Sequence, residues 1–167
     1  GDPVRLHRPG RLAAQAMDMA REVVASAVGA RPDEVIFTAS GVHASQAAVL
    51  GLALGRRRTG SRIVTTAIDH SSVLAAAAAA GVHDAVQVDH EGHVDLEQWA
   101  AAVGIGGTAA ACIQVASHEV GTLQPYAEAA EICQRTGVPL VLDATPALGR
   151  IDLSDAAGWS VLTGSAG

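Results

Sequence analysis

A chain of 167 residues that is 49% hydrophobic and 17% charged has the composition of a globular protein able to bury one sizeable core. Its formal net charge of −6 argues against a surface for nucleic acid or an anionic membrane, and no run of about 18 strongly apolar residues offers a membrane span. The 11 basic side chains are all arginine, and the chain contains no lysine.

Leu12, Ala16, Met19, Val23 and Ala27 recur at helical spacing, so residues 11–28 are predicted as an amphipathic helix. Pro32-Asp33-Glu34 turns the chain into a predicted strand at Val35–Thr38, and Ser40-Gly41 opens a helix that runs to about Leu54. Arg56, Arg57 and Arg58 follow as a solvated helix end, where cations complement the macrodipole. Next come a strand at Arg62–Thr66, a helix at Ser71–Ala80, a short strand at Ala85–Val88 and a helix at Asp95–Val103. A strand at Ala109–Ala116, a helix at Tyr126–Thr136 stopped by Gly137, and a strand at Leu140–Leu142 complete the series. This alternation predicts an α/β fold with three layers, a mostly parallel sheet carrying helices on both faces. The chain opens at Gly1 with neither a methionine nor a signal-peptide pattern. It closes on Gly164-Ser165-Ala166-Gly167 directly after a further strand-like run, which leads us to expect a fragment of a longer protein.

The most informative segment is Leu140-Val141-Leu142-Asp143-Ala144-Thr145-Pro146. Asp143 ends a buried-strand run, at the sheet edge where open α/β folds bind ligands. A carboxylate at that depth calls for a cationic partner, and the protonated ring nitrogen of a cofactor is one such cation. Three further strand ends carry polar groups. Thr38-Ala39-Ser40-Gly41-Val42-His43 enters a helix start, which suits an anion such as phosphate and equally suits an ordinary Ser40 N-cap. Asp69-His70-Ser71-Ser72 places His70, and Ala116-Ser117-His118-Glu119-Val120-Gly121 places His118, at the same edge. Their convergence makes a site.

Other groups carry less. His83, Asp84, Asp89, His90, Glu91 and His93 lack any recognised ligand spacing, so no metal site is assigned. Gly104-Ile105-Gly106-Gly107 precedes its strand and is not a dinucleotide loop. Cys112 and Cys133 read as structural thiols of a reducing compartment.

Taken together, the segments resemble the large cofactor domain of the class V aminotransferase family of pyridoxal-phosphate enzymes, closest to its cysteine desulfurase branch. Gly1-Asp2-Pro3 with Leu6-His7-Arg8-Pro9-Gly10-Arg11 resembles the family's G-N-P-S-S-x-H-x-x-G-R entry, and Val35-Ile36-Phe37-Thr38-Ala39-Ser40-Gly41 its F-T-S-G-x-T-E phosphate loop. Asp69-His70 is similar to its E-H pair, and Val88-Asp89 through Gly92 to Val94-Asp95-Leu96 to its V-D-x-x-G-x-V-D-L turn. His118-Glu119-Val120-Gly121-Thr122-Leu123-Gln124-Pro125 is similar to N-E-V-G-T-I-Q-P, and Asp143 to Leu153 resembles D-A-x-Q-x-x-G-x-x-x-x.

The resemblance implies the fold-type I large domain over 1–167, incomplete, with the small C-terminal domain outside this chain. It implies pyridoxal 5'-phosphate as cofactor, with Asp143 holding the ring nitrogen protonated and His70 stacking on the ring face. The phosphate would rest on Gly41, on the N–H groups of Val42 and His43, and on Ser165. The lysine that bonds the cofactor would lie one residue past Gly167, so the fragment by itself would be inactive. Also implied are an amino-acid substrate, with L-cysteine and sulfur removal favoured, a homodimer, a sulfur-acceptor protein and a cytoplasmic location. Alternatives are a related C–S lyase or aminotransferase, or a non-catalytic scaffold paralogue. Where the family carries Thr, Asn, Gln and His, this chain has His43, His118, Pro146 and Gly167. Pro146 cannot give the hydrogen bond that the family's Gln gives to the cofactor's phenolic oxygen, and His118 is the available substitute donor.

Overall fold

The computed structural model describes residues 2–5, 7–153 and 156–165. Contacts divide the chain into two compact units, residues 1–37 with 151–156 and residues 38–150 with 157–167.

In the smaller unit α1 spans Arg8–Ala27. It starts ahead of the apolar periodicity because His7 caps it: Nδ1 accepts the Gly10 N–H at 3.0 Å, and Pro9 stands in the first turn, where no helical N–H is needed. A 3-10 turn follows at Pro32–Glu34. The strand predicted at Val35–Thr38 does not form. A strand exists only in a ladder, and this run pairs with no neighbour among the described residues; Ile36 is 81% exposed. Arg21 holds the run instead. Its guanidinium carbon lies 5.3 Å from the centre of the Phe37 ring, and its Nε donates to the Val35 carbonyl at 3.3 Å.

The larger unit alternates helix and strand as far as β4, after which β5 follows with no described helix between: α2 at Gly41–Gly55, β1 at Arg62–Thr66, α3 at Ser71–Ala80, β2 at Val82–Val86, α4 at Leu96–Val103, β3 at Thr108–Gln114, α5 at Tyr126–Thr136, β4 at Leu140–Asp143 and β5 at Val161–Thr163. All strand pairs are parallel, in the order β2-β1-β3-β4-β5. α2 and α3 pack on each other and on the sheet, and α4 and α5 form the second helical pair. Right-handed crossovers put β1-to-β2 connections and β2-to-β3-to-β4 connections on opposite faces, which yields the three layers the alternation predicts. Val49, Ile63, Val73, Ala77, Ala110, Cys112 and Val141 form one core cluster. Trp99 is fully buried and donates its Nε1–H to the Ala129 carbonyl at 3.3 Å, joining α4 to α5.

β2 starts earlier than predicted. His83 and Asp84 interrupt the apolar pattern but find partners on β1: His83 Nε2 lies 2.9 Å from Thr65 Oγ1, and Arg62 Nη1 donates to Asp84 at 2.9 Å. Gly137 ends α5 at φ +69°, a left-handed conformation that only glycine adopts freely. No helix among the described residues is long and apolar enough to cross a membrane.

Candidate active site

The order 2-1-3-4-5 reverses direction between β1 and β3, and the crevice beyond the carboxyl ends of those strands is where such sheets take ligands. A cavity of about 1120 Å³ opens there. Of the predicted site residues it is lined by Gly41, Val42, His70, His118, Asp143, Pro146 and Ser165. His43 is exposed, does not line it, and gives its N–H to Ser40 Oγ at 3.1 Å. Gly167 lies outside the described residues, as do Gly1 and Leu6 of the entry motif.

Asp143 is 5% exposed and closes β4. Its Oδ1 accepts the Thr145 N–H at 3.0 Å and the Thr163 hydroxyl at 3.1 Å, and Ser45 Oγ donates in turn to Thr163 at 3.4 Å. Three elements thus orient one carboxylate, and its described hydrogen bonds leave Oδ2 for another partner. No ion pair among the described residues supplies a cation to it.

α2 points its N-terminus at the same cavity. The N–H groups of Gly41 and Val42 belong to the first turn, which has no intrahelical acceptor for them. A Cβ added at Gly41 would make ordinary contact with the Ser165 Cβ at 3.4 Å and Thr145 Cγ2 at 3.5 Å, filling space that glycine leaves beside the first turn. His70 caps α3, its Nδ1 accepting the Ser72 N–H at 3.1 Å with the Ser72 hydroxyl at 2.7 Å. With Nδ1 used as acceptor, the neutral ring carries its proton on Nε2. His118 starts the turn after β3. That turn is rooted by Gln124, whose Nε2 donates to the Gly92 carbonyl at 2.7 Å and whose Oε1 accepts the Val94 N–H at 3.0 Å. Pro146 lines the cavity with no N–H to offer, and its carbonyl accepts from Arg150 at 3.0 Å.

Asp69, Gln114 and Ser45 are among the lining residues that the sequence reading did not name as site members. Asp69 is 4% exposed. Burial pushes its carboxyl up to about 7, aided by the negative field of Asp143 and opposed by N–H bonds from Thr66 and Gln114. The only sequence signal for it was its place beside His70. Burial, then the Asp69 and Asp143 carboxylates, drive the Cys112 thiol well above its ordinary range, and burial pushes Cys133 up to about 12, so neither is a ready nucleophile.

The residues weighed for metal divide. His83 and Asp84 pair with β1 as described. Ligand atoms of Asp89, Glu91 and His93 fall within 4.8 Å of one another on an exposed turn. There Asp89 Oδ1 accepts the N–H groups of Glu91 and His93, each at 2.9 Å. The His93 N–H foremost holds this carboxyl below its usual range.

Known proteins resemble this chain along nearly its whole length. An IscS-like cysteine desulfurase of Mycobacterium tuberculosis (strain ATCC 25618 / H37Rv) is 37% identical over 182 residues, covering 98% of this chain and 44% of the relative. The solved structure of a NifS-like protein matches at TM-score 0.85 with 29% identity, covering 92% of this chain and 44% of its own. That of DndA from Streptomyces lividans matches at TM-score 0.79 with 31% identity, covering 92% and 45%. The chain therefore spans less than half the length of the relatives it matches. The family described as aminotransferase class V matches residues 3–157, and with the strand-end site in place the chain belongs to that family.

Proposed function

We propose that the full-length protein binds pyridoxal 5'-phosphate in this cavity and removes sulfur from L-cysteine. The observation that carries the reading is the buried Asp143 carboxylate, which has no cationic partner among the described residues and shares its cavity with the open first turn of α2. Family and relatives are of a pyridoxal-phosphate-dependent, cysteine desulfurase type. The residues present fit the cofactor. Asp143 Oδ2 would hold the ring nitrogen, His70 would cover a ring face, and Gly41, Val42 and Ser165 would hold the phosphate at the positive end of α2. When bound, the cofactor supplies an electron sink for carbanion chemistry. Asp143 would keep its nitrogen protonated, and His70 would pack against its ring.

The other parts of the reading extend past this chain. We assign it to the large domain of a longer protein, with the small C-terminal domain and the cofactor's lysine beyond residue 167, and expect residues 1–167 alone to be inactive. Exposed Leu12, Met19 and Val23 on α1 are apolar surface of the kind that a second subunit or further domain buries, which supports a homodimer. A sulfur-acceptor protein and a cytoplasmic location follow from the same assignment, and two buried free thiols suit a reducing compartment. Pro146 and His118 favour, as the second reading, a related C–S lyase or aminotransferase.

The test uses the full-length protein. It should purify yellow, lose its visible absorbance on borohydride reduction, and, with an added dithiol as the two-electron reductant of the released sulfur, yield sulfide from L-cysteine with alanine as co-product. A colourless protein that takes up no added cofactor overturns the assignment; pyruvate and ammonia in place of alanine would select the lyase.

A further inference from the structure

The ladder between β1 and β3 stops short. Its register runs Arg62↔Thr108, Ile63↔Ala110 and Val64↔Ala111, and no pairing joins the last residues of the two strands. Asp69 stands in that gap. Its Oδ2 accepts the Thr66 N–H at 2.8 Å from the end of β1, and its Oδ1 accepts the Gln114 N–H at 2.9 Å from the end of β3. The Gln114 side chain completes the link by donating Nε2–H to the Ile68 carbonyl at 2.9 Å.

We infer that Asp69 is a positioning residue: its carboxylate clamps the diverging ends of β1 and β3 and so fixes the backbone that presents His70 to the cavity. The inference rests on the cofactor reading of that cavity. The chemistry of the clamp is specific. Two backbone donors meet two different oxygens, and only a carboxylate has an acceptor for each; an Asn amide would set its own N–H₂ against one donor. Burial without both bonds would leave an unsatisfied N–H at the mouth of the site. The partner carboxylate also matters, because a cation held by Asp143 relieves the repulsion between the two acids and favours the ionised Asp69 that the clamp needs.

In the full-length wild type, hydrogen exchange should show the Thr66 and Gln114 amides as protected as that of Val64 within β1. Fast exchange at either overturns the clamp, with no variant required. Asp69→Asn should release that protection, weaken pyridoxal 5'-phosphate binding about tenfold, and shift the visible circular dichroism of the bound cofactor in the direction His70→Ala does. The double variant should bind no more weakly than His70→Ala alone, because the effect runs through His70. Additive losses, or an Asn variant matching wild type in dichroism and affinity, would overturn the positioning role. Failure of the wild type to take up cofactor overturns the reading of the cavity, while the amide protections still decide the clamp.

Discussion

Asp143 and Asp69 line one cavity, and their donors give them different tasks. Asp143 has its described hydrogen bonds gathered on Oδ1, which leaves Oδ2 for the proposed cofactor; Asp69 has one backbone donor on each oxygen and is spent on the fold. Asp143→Ala should therefore leave the far-UV dichroism unchanged while abolishing turnover, with cofactor affinity reduced by about 1.5–3 kcal/mol, the worth of a hydrogen bond to a charged group. Equilibrium dialysis of the full-length variant checks the affinity, and wild-type rates with cofactor bound would refute the role. His118 is the second residue to test. It is exposed at the cavity wall, and Pro146 beside the same cavity offers no donor. If the imidazole bonds the cofactor's phenolic oxygen, His118→Ala raises the pH at which the visible absorbance titrates, because the deprotonated form loses a hydrogen bond. Coincident titration curves for variant and wild type would leave His118 as a wall of the turn and nothing more. Asp143, His70 and His118 were legible in the sequence because strand-end polar residues stand out against apolar runs. Asp69 and Gln114 were not, since their partners are backbone groups that no residue type announces.

At the scale of elements, legibility followed what each segment packs against. β1, α3 and α5 match their predicted bounds, since each is an apolar run or face closed by an unambiguous stop. β2 did not, because an edge strand can carry polar residues whose partners lie across the ladder, as His83 and Asp84 do with Thr65 and Arg62. Val35–Thr38 failed for the converse reason: β-forming side chains do not make a strand without a neighbour. Gly137 offers an element-level prediction. Its φ of +69° is left-handed and nothing lies within 4 Å of an added Cβ, so Gly137→Ala tests backbone strain without a steric clash. The cost should be about 1 kcal/mol, read as a lower denaturant midpoint at unchanged slope; an unshifted midpoint would show that α5 ends by other means.

For the whole molecule, the raised carboxyl of Asp69 gives stability a pH signature. Its ordinary value is 3.8 and burial carries it to about 7 in the folded chain. Over that interval the native state holds a proton that the unfolded state has released. This contribution is full below about 3.8 and is lost as pH rises through about 7, at about 1.4 kcal/mol per unit. Exposed Asp33, Asp89 and Asp95 are shifted the other way, so the wild-type curve alone is a mixture. The difference between wild type and Asp69→Asn isolates the term: wild type should lose stability relative to the variant as pH rises from 4 to about 7, measured by urea unfolding at each pH. A gap independent of pH would place Asp69 in contact with water.

β5 carries one more consequence. It is the last strand in chain order among the described residues, and Thr163 within it supplies a hydroxyl to Asp143 while its carbonyl takes the Ala144 N–H at 2.8 Å. With β5 undocked from β4, Asp143 would lack the Thr163 hydroxyl that orients it. The donor set around this carboxylate is thus complete only when the edge strand β5 is docked on β4, so a change that loosens that edge reaches Asp143 without touching it.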